Sequence, residues 1–500
     1  MSAVGYFDIL KLAMPETIVA LAALAVLFID LGIMRPAEGK FRRMIAALVT
    51  GTSCLVAIFW MHQVQQETAP GFLSGLLVVD PLTQWVKQGV LVLTLFTAWV
   101  SIDSTFTDHT GEYFALLLLA TVGMMFLVSA ENLLMIFISL ELLSLSLYIL
   151  TAFNKRNLRS AEAALKYFLF GGMAAAFTLF GLSLLYGLTG SIELRPIAAA
   201  LKGKGLDPAL AAAIVMTVIG FGFKIAAVPF HLWAPDAYEG APTPSAALIA
   251  SGSKVASFFI LGKVMMLGFA GAEGNGAWRA FASGWVPLLA VIAVFSMLLG
   301  NLAAIAQSNV KRLLAYSAIA HGGYALLAVL TDNLQGVAAL VYYVVTYALT
   351  VLGAFGVVSV VEERAGEARF SDFAGLSRRA PLLSFCMMIF MLSLAGIPPL
   401  AGFFGKFYVF TAAVNAQPKK LGLLWLVVFA IAMSAVSLYY YLQVLKQIYV
   451  AESSTVSPVI KTSAPLLAGI VLVAAGVLAL GCAPNLLVGA LSAAIKAAGF

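Results

Sequence analysis

Four ionisable residues lie deep inside stretches of the sequence that are otherwise long and apolar. They are Glu141 in "FISLELLSLSLYIL", Lys224 in "FGFKIAAVPF", Lys254 in "LIASGSKVASFF" and Lys406 in "LAGIPPLAGFFGKFYVF". A charge at the centre of a membrane costs roughly 2.5–3.5 kcal/mol on insertion scales, so such residues are rare and usually mark ion or proton paths. Lysine can release its proton when buried, whereas arginine stays charged. The residue types therefore indicate proton transfer.

A structural ion pair between Glu141 and one of the lysines is the simpler alternative. Three central lysines outnumber one central carboxylate, so the set cannot neutralise itself, and this excess favours a function. Ser144 and Tyr148 follow Glu141 at positions i+3 and i+7. These positions share one side of a helix, which predicts that the carboxylate faces other helices and not lipid.

Three further residues, His231, His321 and Lys263, are possible relay members. Both histidines lie within or next to apolar segments, where a hydrogen-bonded structural role is the simpler interpretation of each. Lys263, like Lys87, lies closer to the end of its segment, from which a long side chain can reach the membrane interface.

Several kinds of chemistry lack their sequence signatures. The chain has no phosphate-binding GxxxxGK[ST] loop, no GxGxxG fingerprint, no HExxH and no cysteine or histidine set for an iron–sulfur cluster. Its three cysteines, Cys54, Cys386 and Cys482, stand singly in apolar segments. We therefore expect no metal and no redox or nucleotide site on this chain, so that energy for transport must come from an ion gradient or a partner.

The composition indicates a polytopic membrane protein. The chain has 500 residues, of which 62% are hydrophobic and 10% are charged, and its mean hydropathy is +1.00. A typical soluble domain is about 25% charged. We predict an all-α fold with about fourteen transmembrane helices. The predicted spans are 12–31, 44–62, 85–100, 113–129, 132–152, 164–187, 209–238, 244–267, 285–305, 312–330, 335–361, 381–416, 424–446 and 464–484.

Two of these spans, 209–238 and 381–416, are too long for one straight helix across a hydrocarbon core of about 30 Å. Each contains glycines and prolines near its lysine, and Pro229, Pro398 and Pro399 are the predicted helix breaks. Broken helices at membrane depth are typical of transporters, in which paired interrupted segments often belong to inverted repeats. The breaks are five spans apart, which predicts inverted five-helix repeats in spans 4–8 and 9–13.

These repeats divide the chain into four predicted regions, namely an N-terminal three-helix region (1–112), the first repeat (113–267), the second repeat (285–446) and a C-terminal helix (464–500). The loops carry a charge bias, with sixteen Lys and Arg residues in the odd-numbered loops and eight in the even-numbered loops and termini. The positive-inside rule then places the odd loops in the cytoplasm and both termini outside. Because this bias explains the net charge of +6, no nucleic-acid partner is expected.

Three stretches resemble a known family. They are "FGFKIAAVPFHLWAPDAYEGAPTPSAALIASGSKVASF" (221–258), "SNVKRLLAYSAIAHGGY" (308–324) and "AGIPPLAGFFGKFYVF" (395–410). They are similar to the signature stretches of the antiporter-like membrane subunits of bacterial NADH:quinone oxidoreductase, respiratory complex I. Lys406 disfavours the M type, which usually has a carboxylate at that position. The L type carries a long lateral helix after its last core spans, and here the sequence stops at Phe500, so the N type fits best.

The resemblance implies a proton-transfer chain across the membrane centre through Glu141, Lys224, Lys254 and Lys406, with Glu141 pairing with Lys224 and release to the outside beyond Lys406. Quinone reduction elsewhere in the complex would drive it. NADH, FMN, iron–sulfur clusters and quinone are expected on partner subunits and no cofactor on this chain.

The same resemblance implies a place in the bacterial inner membrane beside an M-type antiporter-like subunit, small K- and J-type subunits and the lateral helix of an L-type subunit. An Mrp-type cation/proton antiporter subunit is the alternative, and a scaffold whose buried charges only hold helices together is the third interpretation.

Overall fold

The computed structural model describes residues 10–64, 76–203, 205–416, 421–452 and 462–498, and these residues form a helical bundle. Its α-helices, in chain order, are α1 (Met14–Phe28), α2 (Gly39–Val64), α3 (Pro81–Val100), α4 (Thr110–Ser129), α5 (Leu133–Thr151), α6 (Leu158–Thr189), α7 (Leu194–Leu201), α8 (Pro208–Lys224), α9 (Trp233–Gly240), α10 (Thr243–Ala250), α11 (Gly252–Lys263), α12 (Trp285–Ile305), α13 (Val310–Val329), α14 (Leu334–Ala365), α15 (Leu376–Arg379), α16 (Pro381–Ala395), α17 (Ala401–Asn415), α18 (Leu424–Tyr449), α19 (Ala464–Cys482) and α20 (Asn485–Ala498).

Eleven helical segments within the described ranges are long and apolar enough to cross a membrane, and one of them, Thr243–Gly268, contains both α10 and α11. This confirms the predicted all-α polytopic fold. The count of fourteen spans stays a prediction, because it also includes the two interrupted segments and α13. Beyond the predicted spans the structure adds α7, a short helix on a loop, and α20, an apolar helix that packs on α3 and α14.

Both long spans are interrupted, as predicted. α8 ends at Lys224, and residues 225–232 lead through turns to α9. α16 ends at Ala395, Gly396 takes a left-handed conformation with φ +88°, and α17 begins at Ala401. The peptide bonds Val228–Pro229 and Pro398–Pro399, which lie in these interruptions, are cis.

A third interruption separates α10 from α11 at Ser251, whose φ and ψ are −112° and −88°. The predicted span 244–267 is one span in the structure, Thr243–Gly268, but the bend within it has no signal in the sequence. The Ser251 hydroxyl donates to the carbonyl of Ala247 at 2.6 Å, which satisfies an acceptor at the end of α10. Lys254 therefore lies in the first turn of a helix, close to a bend.

The two predicted repeats show matching local structure. Asn132 caps α5 and bridges to Glu193 beyond α6, whereas Asn309 caps α13 and bridges to Arg369 beyond α14. The helices α6 and α14 each have 32 residues, and each ends at a left-handed glycine. Such matches are what inverted repeats produce, since equivalent loops must close equivalent helix pairs.

Helix α14 lies at the centre of the bundle. It packs against α3, α10, α11, α13, α16, α17, α19 and α20. The segment Thr243–Gly268, which contains α10 and α11, is buried throughout its most apolar stretch. The contact between α11 and α14 joins the first repeat to the second, and it places Lys254 near that junction.

Candidate functional site

Lys224 is the last residue of α8, and only 7% of its side chain is exposed. Its ammonium group donates to the hydroxyl of Ser144 on α5, and it lies 5.6 Å from the ring centres of Tyr148 and Phe223. The carboxyl end of a helix carries partial negative charge. The first interruption therefore provides a favourable place for a cation.

Glu141 lies one helical turn before Ser144 on α5 and is half-buried. Within the described part of the chain, no lysine or arginine nitrogen lies within 4.0 Å of its carboxylate, whereas Lys224 contacts Ser144 on the same helix. The expected pairing of Glu141 with Lys224 is therefore not a direct ion pair in this structure.

The side of α5 that carries Glu141 is only partly covered by other helices of the described chain. Leu134, Ile138, Leu145 and Ile149 on the same helix are about half exposed, and Glu141 lies along this apolar stripe. The physical reason is the position of α5 at the edge of the bundle, where part of its surface is left uncovered by the described residues.

Lys254 on α11 is 2% exposed, and its ammonium group has no hydrogen-bond partner among the described residues. It lies 5.7 Å from the ring centre of Trp233, a contact in which the face of an indole attracts a cation. The hydroxyl of Ser257, one turn further along the helix, is also buried without a partner. Buried polar atoms without protein partners are places where an ordered water fits.

Lys406 on α17 is 4% exposed and is the most completely bonded of the central lysines. Its ammonium group donates to the carbonyls of Leu394 at 3.1 Å and Ala395 at 2.9 Å, and to the hydroxyl of Ser434 at 2.8 Å. Those carbonyls are free because α16 ends there. The second interruption therefore forms the binding site for this cation.

The two interruptions hold their lysines in different ways. Lys224 comes before the first interruption, whereas Lys406 comes after the second and reaches back to the carbonyl end of α16. The two interrupted segments occupy equivalent places in the two repeats, but the two lysines do not occupy equivalent positions within these segments. Both lysines are nevertheless associated with the carboxyl end of the first half-helix, Lys224 as the last residue of α8 and Lys406 through its bonds to carbonyls of α16, and the helix dipole favours positive charge there.

His321 on α13 is buried and bonded through both ring nitrogens. Nδ1 lies 2.7 Å from the hydroxyl of Tyr343, and Nε2 lies 3.1 Å from that of Tyr441, which is itself 2.5 Å from Ser317. The ring also packs against Tyr324, over whose face the ammonium group of Lys406 lies at 5.1 Å. The structure thus places His321 beside Lys406, in the second repeat.

The other two possible relay residues, His231 and Lys263, lie outside the group formed by His321 and Lys406. His231 is buried in the first interruption, and its Nδ1 has no hydrogen-bond partner among the described residues. Lys263 pairs with Glu131 at 3.2 Å. It follows Lys254 by nine residues, which is roughly half a turn around the helix, so the two lysines point to opposite sides of α11. Lys87 pairs with Glu16 at 2.5 Å.

The structure adds one charged cluster that the sequence does not indicate. Lys311 is only 2% exposed and lies 3.1 Å from Glu362, at the ends of α13 and α14. Arg312 bonds Asp236 at 2.8 Å and Glu239 at 2.9 Å. In sequence, the basic residues of this cluster are indistinguishable from ordinary loop charges, because their partners are more than fifty residues away.

No group of three or more His, Cys, Asp and Glu side chains that could hold a metal ion occurs within the described ranges. The central site consists instead of one carboxylate, three amines, one imidazole and several hydroxyl groups. These groups donate and accept protons, and the described geometry brings them into two clusters, one around Lys224 and one around Lys406, with Lys254 between the two repeats.

The family described as "NADH:quinone oxidoreductase/Mrp antiporter, TM" matches residues 130–434 of the chain. This match covers both interrupted helices and all four central ionisable residues. It defines a class, the antiporter-like membrane subunits that NADH:quinone oxidoreductases and Mrp antiporters have in common.

Individual relatives show which family within this class the chain is similar to. NADH-quinone oxidoreductase subunit N 2 of Acidobacterium capsulatum is 53% identical to the chain, over 97% of this chain and 99% of that protein. A chain of respiratory complex I from Thermus thermophilus is 34% identical with a TM-score of 0.78, covering 96% of this chain and all of that one. The chain belongs to the NADH-quinone oxidoreductase subunit N family.

The fold itself is shared more widely. A chain of the Mrp complex from Dietzia sp. DQ12-45-1b superimposes with a TM-score of 0.82 at 20% identity, and each chain covers 97% of the other. At this identity the likeness concerns the fold alone.

Proposed function

We propose that this chain is a proton-translocating membrane subunit of NADH:quinone oxidoreductase, driven by quinone reduction in other subunits. One observation carries the proposal. Lys224, Lys254 and Lys406 are all buried, and among the described residues no carboxylate oxygen lies within 4.0 Å of any of them. Buried lysines that only held helices together would be expected to have such partners, as Lys87, Lys263 and Lys311 have.

The proposed route uses Glu141, Lys224, Lys254 and Lys406 in this order. The charge of Glu141 sets the protonation state of Lys224. Ser144 connects the two residues, because it lies one turn from Glu141 on α5 and accepts a hydrogen bond from Lys224. Water beside the unpartnered groups near Lys254 carries the proton between the repeats. Lys406 receives it at the end of α16, and release to the outside follows. Pro229 interrupts the helix after Lys224, and Pro398 and Pro399 interrupt the helix before Lys406.

The remaining parts of the proposal concern the complex as a whole. NADH, FMN, iron–sulfur clusters and quinone are bound by partner subunits, and this chain has no redox or nucleotide site. Its neighbours are an M-type antiporter-like subunit, small K- and J-type subunits and the lateral helix of an L-type subunit. The chain lies in the bacterial inner membrane with both termini on the periplasmic side.

The alternative is an Mrp-type cation/proton antiporter subunit. The likeness to the Mrp chain is at the level of fold, whereas the relatives named as subunit N reach 53% identity over the whole chain. Copurification with iron–sulfur and quinone-site subunits separates the two functions, because an Mrp subunit would copurify with cation-antiporter subunits instead.

Lys224→Arg and Lys406→Arg test the proposal in the assembled complex. Arginine keeps the positive charge but does not release its proton. We expect normal assembly, together with a lower ratio of protons translocated to NADH oxidised in each variant. The measurement is NADH-driven acidification of everted membrane vesicles.

Lys87→Arg is the matched control, since Lys87 is equally buried but has Glu16 as its partner. We expect its proton-to-electron ratio to equal that of the unmodified complex. An unaltered ratio in both Lys224→Arg and Lys406→Arg would show that these lysines have only a structural role.

A further inference from the structure

A cavity of about 260 Å³ opens where the odd-numbered loops meet. Residues in five of these loops or at the helix ends beside them line it, including Thr105, Asn154, Thr243, Lys311 and Glu362. A water molecule takes up about 30 Å³ in the liquid, so the cavity has room for several. The positive-inside rule assigns this face of the protein to the cytoplasm.

Charged groups that are hydrogen-bonded to one another lie in the wall of this cavity. The ammonium group of Lys311 donates to the carbonyl of Ala241 at 2.9 Å, the hydroxyl of Thr243 at 3.3 Å and the carboxylate of Glu362 at 3.1 Å. Thr243 also donates to Glu362. Residues of the first repeat (Ala241 and Thr243) therefore contact residues of the second (Lys311 and Glu362) in the wall of this cavity.

One face of α14 leads from this cavity to the ring of His321. Glu362, Phe355, Tyr347 and Tyr343 follow one another at intervals of seven, eight and four residues, and these intervals keep them on one side of the helix. Glu362 lies in the cavity wall. At the other end, the ring of Tyr347 packs 4.8 Å from that of His321, and Tyr343 bonds its Nδ1. The rise from Glu362 to Tyr347 is about 22 Å.

Two buried hydroxyl groups along this face have no hydrogen-bond partner among the described residues, namely those of Tyr238 and Tyr347. The ring of Tyr238 packs against Phe355, 6.0 Å between ring centres, which places it between the cavity and Tyr347. Buried hydroxyl groups are nearly always bonded, and water is the remaining partner. A hydroxyl group both donates and accepts, so it can pass a proton on.

We propose that the second repeat has a proton inlet of its own, which begins at the cavity beside Lys311 and Glu362 and reaches His321 past Tyr238 and Tyr347. This inlet rests on the proposed function and is separate from the route through Glu141. Each step moves one proton from one oxygen or nitrogen atom to another and breaks no other bond, and water bridges the hydroxyl groups of Tyr238 and Tyr347, which have no hydrogen-bond partner among the described residues. From His321 the next titratable group is Lys406, since Tyr324 contacts both residues.

Tyr347→Phe tests the inner end of the inlet in the assembled complex, because it removes the hydroxyl group and keeps the ring. We expect NADH-driven proton uptake by everted vesicles to fall about tenfold, since a positioned proton-transfer group typically contributes at least that much. Tyr342→Phe is the matched control. Tyr342 is a buried tyrosine of the same helix, but its hydroxyl bonds the carbonyl of Leu480 on another side. Normal uptake in Tyr347→Phe would contradict the inlet.

Ser359→Cys tests the cavity itself, because Ser359 lines it without bonding Lys311 or Glu362. A bulky membrane-impermeant thiol reagent, added to everted vesicles in a Cys482→Ala background, should block proton uptake in this variant. Ser371→Cys, on an exposed loop outside the cavity, is the control that should react without loss. Full labelling of Ser359→Cys with normal uptake would overturn the proposal.

The outcomes separate this inlet from the proposed function. Loss of pumping in Lys224→Arg and Lys406→Arg, with normal uptake in Tyr347→Phe and in labelled Ser359→Cys, would mean that only the inlet is wrong. Normal pumping in the arginine variants would instead count against the proposed function.

Discussion

At the scale of single residues, the three central lysines differ in what surrounds the ammonium group. An ammonium group has three donors. Lys406 uses them on two carbonyls and one hydroxyl, Lys224 has one hydroxyl and two aromatic faces, and Lys254 has one indole face. The charged form is therefore best hydrogen-bonded at Lys406 and least at Lys254, which suits Lys254 to brief occupation by a proton in transit and Lys406 to holding one.

Ser144 connects Lys224 to the helix of Glu141, and removing its hydroxyl should weaken their coupling. Hydrogen bonds to charged groups contribute about 1.5–3 kcal/mol, so we expect Ser144→Ala to lower the rate of coupled proton translocation by roughly tenfold or more. Proton uptake and NADH oxidation in everted vesicles measure this effect. Ser146→Ala is the control, because the hydroxyl of Ser146 bonds only Leu142 of its own helix. Equal rates in the two variants would exclude the role of Ser144.

At the scale of helices, the interruptions place charged groups where backbone carbonyls are free. A continuous helix uses its carbonyls internally, whereas a helix end leaves up to four without a partner. α16 offers such carbonyls to Lys406, and the partial negative charge at the end of α8 lies beside Lys224. The interruption thus stabilises a cation in surroundings that otherwise exclude it.

Gly402 on α17 allows the two halves of the second interrupted helix to approach closely. A Cβ atom there would lie 1.9 Å from the carbonyl oxygen of Ser393. We expect Gly402→Ala to destabilise the chain by about 1–3 kcal/mol, the usual range for overpacking, and to reduce the amount of assembled complex and its thermal stability. Gly172→Ala is the control, since a Cβ at Gly172 on α6 meets nothing within 4 Å. An equally stable Gly402→Ala complex would show that this contact can relax.

At the scale of the whole molecule, two repeats of opposite orientation meet along α11 and α14. The inverted arrangement gives each repeat one interrupted helix and one cluster of ionisable groups, and α14 contacts both repeats. The charge cluster of Lys311, Arg312, Asp236 and Glu362 lies where they meet on the odd-loop side. A proton path across the centre must pass this junction, and Lys254 is the ionisable residue placed there.

The orientation of the molecule gives a separate prediction. The odd-numbered loops should lie in the cytoplasm and the even-numbered loops outside, because sixteen of the loop and terminal Lys and Arg residues are on the odd side against eight. In a Cys482→Ala background, Lys202→Cys should react with an impermeant thiol reagent in intact spheroplasts, and Ser371→Cys only in everted vesicles. The reverse pattern would place both termini in the cytoplasm.

Much of this fold could be predicted from the sequence, because the relevant information is local. A span is a run of apolar residues, a break is a cluster of glycine and proline, and a misplaced charge stands out against its neighbours. The two interruptions were found in this way. The bend at Ser251 was not, since "ASGSKVAS" lacks proline and reads as one continuous apolar segment.

The sequence by itself thus determined the membrane class and the interrupted helices, and it singled out Glu141, Lys224, Lys254 and Lys406 as candidates. Only the tertiary structure decided what each residue contacts. Lys224 reaches Ser144 across 80 residues, and His321 reaches Tyr441 across 120. These contacts depend on how helices pack, and packing follows from the shape of many side chains at once. The same reason explains why the cavity beside Lys311 and the half-buried position of Glu141 on an outer side of α5 became visible only in three dimensions.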